Sequence, residues 1–303
     1  MSRNLLVVGG NGFVGSAVCK QALSQGWDVQ SISGSGRPFK TPKGHAPAWT
    51  ESDKMHWHKA DALQPSQYKE IAASCNAVVH TVGILMETKY KGQGGSVSNI
   101  FRGLTKGWGM GDQGNPLDEE DSLTYERMNR DTAITVASTF AEAQRAKHNR
   151  EVPFVYISAE DILRPVISPR YSSTKRDAEV AIAAIAEQEF PPTLRAIFMR
   201  PGFMYHPHIR PWTTLPATLI DVSAYVHSIH RKWRIPIPSP ADILASRLMP
   251  QSVHPLAGAL TTPPLHVDTV ALAIINAIEN EHVRGAQGVE AIKQLAGWPA
   301  QVE

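Results

Sequence analysis

Leu5-Leu6-Val7-Val8-Gly9-Gly10-Asn11-Gly12-Phe13-Val14-Gly15 decides the fold of this 303-residue chain. An apolar run of strand length stops at a glycine turn. Ala17-Val18 and Ala22-Leu23 then continue at helical spacing. The glycines satisfy G-x-G-x-x-G from Gly10 and G-x-x-G-x-x-G from Gly9. The first glycine lets the chain turn off the strand and the second lets backbone approach a pyrophosphate. Gly15 lets helix and strand pack closely. The helix N-terminus behind them offers free N–H groups and the positive end of the helix dipole. This is the opening β-turn-α of a dinucleotide-binding fold.

Further along, alternation continues. Asp28–Ile32, Trp57–Ala60, Ala77–Gly83, Phe154–Ile157 and Leu194–Met199 read as strands. Tyr68–Ala73, Tyr125–Ala143 and Thr174–Ala186 read as helices. Strand-helix alternation predicts an α/β fold: a Rossmann-type doubly wound parallel sheet with its site at the carboxyl ends of the strands. Residues 86–121 are glycine-rich and aperiodic, which fits a lid or a partner surface. After Gly202 eight prolines between Pro207 and Pro255 exclude regular βα units. Leu215–His230 still reads as one apolar helix, and a second opens in Leu265–Ala271 with Asp268 or Thr269 near its start. The expected division is a 1–202 nucleotide-binding unit completed by 265–303, with 203–264 as a small substrate-side cap.

Composition narrows the class. A net charge of +2 and 42% hydrophobic residues argue against nucleic acid as a partner. Cys19 and Cys75 lack metal-ligand spacing and read as buried thiols. No 18-residue apolar run is present, so no membrane span is expected. No secretory signal precedes the first strand. Arg3 and Lys20 without a carboxylate before Asp28 are compatible with mitochondrial import.

Tyr171-Ser172-Ser173-Thr174-Lys175 carries the chemistry. Tyrosine and lysine four apart share a helix face, and an ammonium beside a phenol should lower its pKa toward acid/base duty. Ser158 ends the fifth strand, where its hydroxyl could meet the same substrate oxygen. His206, His208 and Arg210 come without carboxylate or cysteine, so they read as loop or pocket residues and no metal is expected.

Those motifs together resemble an atypical or extended short-chain dehydrogenase/reductase. The shared positions are Gly9/Gly12/Gly15, Asp61 after the third strand, His80-Thr81-Val82-Gly83, Asn129, Ser158/Tyr171/Lys175 and Arg200-Pro201-Gly202-Phe203. The resemblance implies Tyr171 as general acid/base, with Lys175 also holding the nicotinamide ribose. It implies that Ser158 orients a carbonyl and Asn129 supports a proton relay. It further implies cofactor contacts at Gly9, Gly12, Phe13, Val14, Gly15, Asp61, Ala62, Thr81, Val82, Gly83, Pro201 and Gly202. Within the superfamily, Val79–Leu85, Tyr125–Asn129, Tyr156–Ala159 and Arg200–Met204 resemble a fungal mitochondrial group associated with the coenzyme Q biosynthetic complex. More distantly they are similar to the NAD(P)H-binding accessory subunit of respiratory complex I.

That resemblance implies a mitochondrial matrix protein at the inner membrane. Its partners would be other coenzyme Q biosynthesis proteins, with a prenylated quinone intermediate as substrate. The second strand ends in Ser33-Gly34-Ser35, followed by Arg37, rather than in a carboxylate. Hydroxyls and a cation at this point favour NADP over NAD, the alternative being a solvated basic loop. Either an NADP(H)-dependent reductase or a cofactor-bound assembly component fits. His230-Arg231-Lys232-Trp233-Arg234 reads as a solvated helix end or as a membrane anchor. In the anchor reading, Trp212 and Trp233 bracket Leu215, Leu219, Val222, Val226 and Ile229.

Overall fold

A computed structural model describes residues 3–84, 124–145, 151–161, 168–188, 193–233, 242, 246 and 260–299. β1 (Asn4–Val8), β2 (Asp28–Ser33), β3 (Met55–Lys59), β4 (Ala77–His80), β5 (Val152–Ile157) and β6 (Leu194–Met199) lie in one sheet. β9 (Gly285–Gln287) completes it, in the order β3-β2-β1-β4-β5-β6-β9. Every pairing in it is parallel. The order reverses between β1 and β4, where a crevice for a ligand is expected.

β1 is buried on both faces, which is why it reads as a continuous apolar run rather than an alternating one. On one face pack α1 (Phe13–Ser24), α6 (Val267–Glu279) and α7 (Val289–Leu295). On the other pack α2 (Lys69–Ser74), α3 (Thr132–Arg145) and α4 (Pro169–Glu187). The fold is the doubly wound parallel arrangement that the sequence predicts.

Among the boundaries that differ from expectation, four are instructive. β4 stops at His80 instead of Gly83, and beyond it Asn129 holds both backbone groups of Ile84: its Oδ1 accepts from the amide (2.8 Å) and its Nδ2 donates to the carbonyl (3.1 Å). β3 starts at Met55, two residues early, because its register continues along β2 to Val29. α4 starts at Pro169 rather than Thr174, since Ser168 caps it by accepting from the Arg170 amide, and proline suits the first helical position. Tyr171 therefore sits in its first turn. α6 starts at Val267 with His266, not Asp268 or Thr269, as the cap: the imidazole Nδ1 accepts from the Asp268 amide.

The proline-rich excursion is tied at its base. β7 (Met204–Tyr205) pairs in parallel with β8 (Leu265–His266). Within the excursion, α5 (Thr214–Trp233) is a full helix. The seventh strand β9 lies beyond the prolines and was not expected; it pairs with β6 through Ile197–Met199. Residues 86–121 and Arg234 lie outside the described residues.

Candidate active site

Gly9 has a φ of +88°, a backbone conformation that only glycine adopts freely, and a Cβ there would sit 2.9 Å from Thr81 Oγ1. A Cβ on Gly15 would strike Gly9 O at 2.1 Å. By contrast, a Cβ on Gly12 would meet only Gly9 O, at 3.1 Å. Gly12 caps α1 without a side-chain hydrogen bond, and the first turn holds no acidic residue. The helix start is thus an uncapped set of donors whose positive end is not neutralised locally, and it fits a dinucleotide pyrophosphate. Phe13 and Val14 pack partly against the core below it.

Thr81 fastens this turn from the side. Its Oγ1 donates to Val8 O (2.8 Å) and approaches Gly9 O (3.2 Å), while its amide donates to Val8 O (2.9 Å). Val82 packs against the second core cluster. At the end of β2, Ser33 Oγ accepts from the Gly36 amide and Ser35 Oγ accepts from Asn11 Nδ2, while Arg37 is exposed. Asp61 Oδ1 accepts from the Leu63 amide, and Ala62 O accepts from Tyr68. Ser33, Ser35, Asp61 and Ala62 thus form one rim along the carboxyl edge of β1–β3.

The Tyr171–Lys175 side is more crowded. Lys175 is buried, donates to Ile157 O (2.8 Å) and lies 4.7 Å from the centroid of the Tyr156 ring. A Cβ on Gly83 would come within 2.9 Å of Lys175 Nζ and 2.7 Å of Asn129 Oδ1, so these three positions converge. Asn129 lies in a π-helical turn, Glu126–Asp131, ahead of α3, and its carbonyl accepts from the Tyr156 hydroxyl. Pro201 O accepts from the Glu160 amide beside the end of β6, with half-buried Gly202 next.

Two expectations about chemistry change. Burial pushes the Tyr171 phenol up to about 12, with Tyr125 adding to the rise, rather than Lys175 drawing it down. Burial also lowers Lys175, to about 7, against a smaller opposing pull from Glu179, which weakens the positive charge expected beside the phenol. Ser158 Oγ accepts from Arg176 Nη1 (3.1 Å), an engagement that the motif alone did not reveal.

Arg176 belongs to a network missed in the sequence. Buried Glu179 pairs with Arg176 (2.6 Å) and with Arg200, and Arg176 also donates to Ala159 O (2.9 Å). Burial raises the Glu179 carboxyl, but the hydrogen bonds of Arg200 and Ser158 and the two arginine charges outweigh it, so the pKa is lowered. The i,i+3 spacing of Arg176 and Glu179 was the available signal. His80, also fully buried, is pulled down to about 3 by burial and then by Lys175.

A groove of about 750 Å³ opens at the opposite, amino-terminal edge of the sheet, among Arg3, Trp27, Glu151, Arg195 and Arg284. Several of its charges are paired: Arg3 with Glu279, Arg284 with Glu151, and Arg195 with four carbonyls after and within α6. It is structural. Among the described residues no cluster of His, Cys, Asp or Glu could hold a metal ion, and no helix is long and apolar enough to cross a membrane.

Residues 5–91 match the NAD dependent epimerase/dehydratase family. Over 301 residues the chain is 28% identical to MIOREX complex component 2 of Saccharomyces cerevisiae, covering 96% of this chain and 99% of that protein. Its fold is similar to a short chain dehydrogenase/reductase family oxidoreductase from Burkholderia thailandensis, with a TM-score of 0.58 at 14% identity over 97% and 93% of the two chains. It is also similar to ElxO with NADP bound, with a TM-score of 0.56 at 14% identity over 97% and 99%. Motifs and fold together make this a Rossmann-type chain resembling the short-chain dehydrogenase/reductases. Its likeness to the yeast complex component extends over nearly the whole of both chains.

Proposed function

We propose that the chain is an NADP(H)-dependent reductase or dehydrogenase acting on a ketone or alcohol, with 1–202 and 265–303 forming the nucleotide-binding unit and 203–264 the cap. The observation that carries this reading is the convergence of Gly83, Asn129 and Lys175 one helical turn beyond Tyr171, on the same carboxyl edge as the uncapped α1 start. A bound nicotinamide would supply or accept the hydride. The protein's part is the proton: Tyr171 exchanges it with the substrate oxygen. Lys175 supplies positive charge beside the ribose and phenol when protonated, and Asn129 holds the 83–84 backbone in place. Ser158 Oγ accepts from Arg176 and keeps its own proton, which can turn from Glu179 to a substrate oxygen. The hydroxyls of Ser33 and Ser35, with Arg37 beyond them, support NADP over NAD.

For place and partners, we assign the chain to the mitochondrial matrix, peripheral to the inner membrane, among coenzyme Q biosynthesis proteins and a prenylated quinone intermediate. The likeness to a yeast complex component supports work within a protein assembly. Leu215, Leu219, Val222 and Tyr225 form an exposed apolar stripe on α5, while Val226 is half-buried. His230-Arg231-Lys232 follow in its last turns. That arrangement supports contact with an anionic membrane surface.

A second reading, a cofactor-bound assembly component without turnover, is favoured by the raised Tyr171 phenol and the engaged Ser158. Tyr171→Phe separates the two. The enzyme reading expects lost reductase activity and lost complementation of a deletion strain, with NADPH binding retained. Full complementation by that variant sinks the enzyme reading and leaves the assembly role.

A further inference from the structure

Two imidazoles at the base of the proline-rich excursion serve as acceptors for backbone N–H groups. Where β7 pairs with β8, Tyr205 lies opposite His266. On the β7 side, His206 Nδ1 accepts from the amides of His208 and Ile209, each at 3.1 Å, and so holds the turn that leads to buried Thr213. On the β8 side, His266 Nδ1 accepts from the Asp268 amide at 3.2 Å and caps α6. The two rings lie against each other, with centroids 4.8 Å apart and planes inclined by 41°.

A ring nitrogen that accepts from an N–H carries no proton, so both rings are neutral, with their proton on Nε2. A second proton can go only to Nδ1. There it turns an acceptor into a donor facing amide donors, and three backbone N–H groups lose their partners. At His266 it also puts positive charge at the start of α6, the positive end of the helix dipole. The neighbours act mostly in the same direction. Burial first, then His266, holds His206 below the ordinary imidazole value of 6.5; His208 and Lys20 add to this and Asp268 opposes it. Asp268 is paired with Lys20 of α1 at 3.0 Å, Tyr205 meets the His266 ring edge-on at 5.3 Å, and Arg210 is turned onto the Phe13 ring.

We propose that His206 and His266 form an acid-released latch between the turn after β7 and the start of α6. While both rings are neutral they pack together and each holds its own segment. When each takes up a proton from solvent, the rings repel and both backbone caps are lost. The folded form favours the neutral rings, so their contribution is complete above the ordinary imidazole range and is lost as pH falls below it. The latch follows from ring and backbone geometry and does not depend on the function proposed above. The β5–β6 pair, which contains no histidine, is the internal reference.

Hydrogen exchange of the full chain at pH 7.5 and pH 4.5 tests this, read by mass on peptides covering 203–214, 264–270 and the β5–β6 pair. Each rate is divided by the intrinsic rate at its pH. Protection in the first two peptides should fall at least about tenfold with acid, the value of one hydrogen bond, while the reference stays level. The matched control replaces both rings, His206→Asn with His266→Asn. A carboxamide oxygen reaches the Nδ1 position, accepts from the same amides and does not titrate, and asparagine is a good helix cap. That double variant should keep its protection at pH 4.5. The latch is overturned by wild-type protection that does not fall, by an equal fall in the double variant, or by an equal fall in the β5–β6 reference. If the double variant does not fold, ring-nitrogen NMR of the wild-type chain decides. His206 and His266 should carry a proton on Nε2 alone at pH 7.5 and on both nitrogens at pH 4.5; a proton on Nδ1 at pH 7.5 contradicts the latch.

Discussion

At the β1–α1 turn, geometry is set by backbone: Gly9 needs its positive φ, Gly15 has no room for a methyl, and Thr81 ties the turn with hydrogen bonds to two main-chain carbonyls. At the Tyr171–Lys175 face, geometry is set by side chains: Glu179 between two arginines, Ser158 under Arg176, and Lys175 against Tyr156 and His80. The two regions share one edge of one sheet. The first tolerates little chemical variation but has a fixed outcome. In the second, the protonation state of each group depends on how deeply its neighbours are buried.

The sharpest way to break this contrast is at Gly15. A Cβ 2.1 Å from Gly9 O and 2.8 Å from Gly10 Cα has no flexible neighbour to displace. Gly15→Ala should therefore cost about 3 kcal/mol or more, at the upper end of overpacking effects. Chemical denaturation checks it, and a midpoint equal to wild type would show the turn to be adaptable.

On the other side, Glu179→Gln keeps the shape and removes the charge. Because both arginines are partly exposed, the expected loss is about 2 kcal/mol, below that of a fully buried broken pair. The folded carboxyl is lowered below its ordinary 4.5. Its contribution is thus present above that pH and lost as pH falls through the folded value. Denaturation curves at pH 7 and pH 4 should show the difference between wild type and variant shrinking with acid. A difference that stays constant would assign the effect to packing.

Lys175 acts with the same sign in pH, in a higher window. Its folded pKa of about 7 lies below the ordinary 10.5. Between those values the unfolded chain holds more protons, so this group's burial costs less as pH rises from about 7 toward 10. Lys175→Met should flatten that part of the stability-against-pH curve. An unchanged slope would mean the ammonium stays charged when folded.

His80 should matter least. Neither ring nitrogen has a hydrogen-bond partner among the described residues, although the side chain is fully buried. Replacing it with Leu removes an unsatisfied polar group, so stability at pH 7 should change by less than about 1 kcal/mol. Acid tolerance between pH 6 and pH 4 should improve, because the unfolded chain no longer gains a proton there. Unchanged acid sensitivity would point to another group.

What was legible in the sequence follows the same division. Gly9, Gly12 and Gly15 declare a backbone requirement, and Tyr171 and Lys175 declare a shared helix face by spacing; both kinds of information are local. Ser158's engagement depends on Arg176 being aimed back from α4 by Glu179, a relation across an 18-residue separation. The lowered Lys175 depends on burial, which spacing does not report. The His266 cap was missed because imidazole seldom plays that part. β9 was missed because its three residues, Gly285–Gln287, carry no apolar run.

The most direct test of a dinucleotide on the glycine turn uses Gly12, where added bulk should reach the ligand before it disturbs the fold. A Cβ there meets only Gly9 O, at 3.1 Å, so a shift of a few tenths of an ångström accommodates it. Titrating NADPH into wild type and Gly12→Ala, with thermal melting of both, should show near-equal melting temperatures. It should also show one NADPH bound per wild-type chain, and affinity reduced at least about tenfold in the variant, as expected where backbone must approach the pyrophosphate closely. Equal NADPH affinity in the two proteins, or none in wild type, would contradict a dinucleotide seated on that turn.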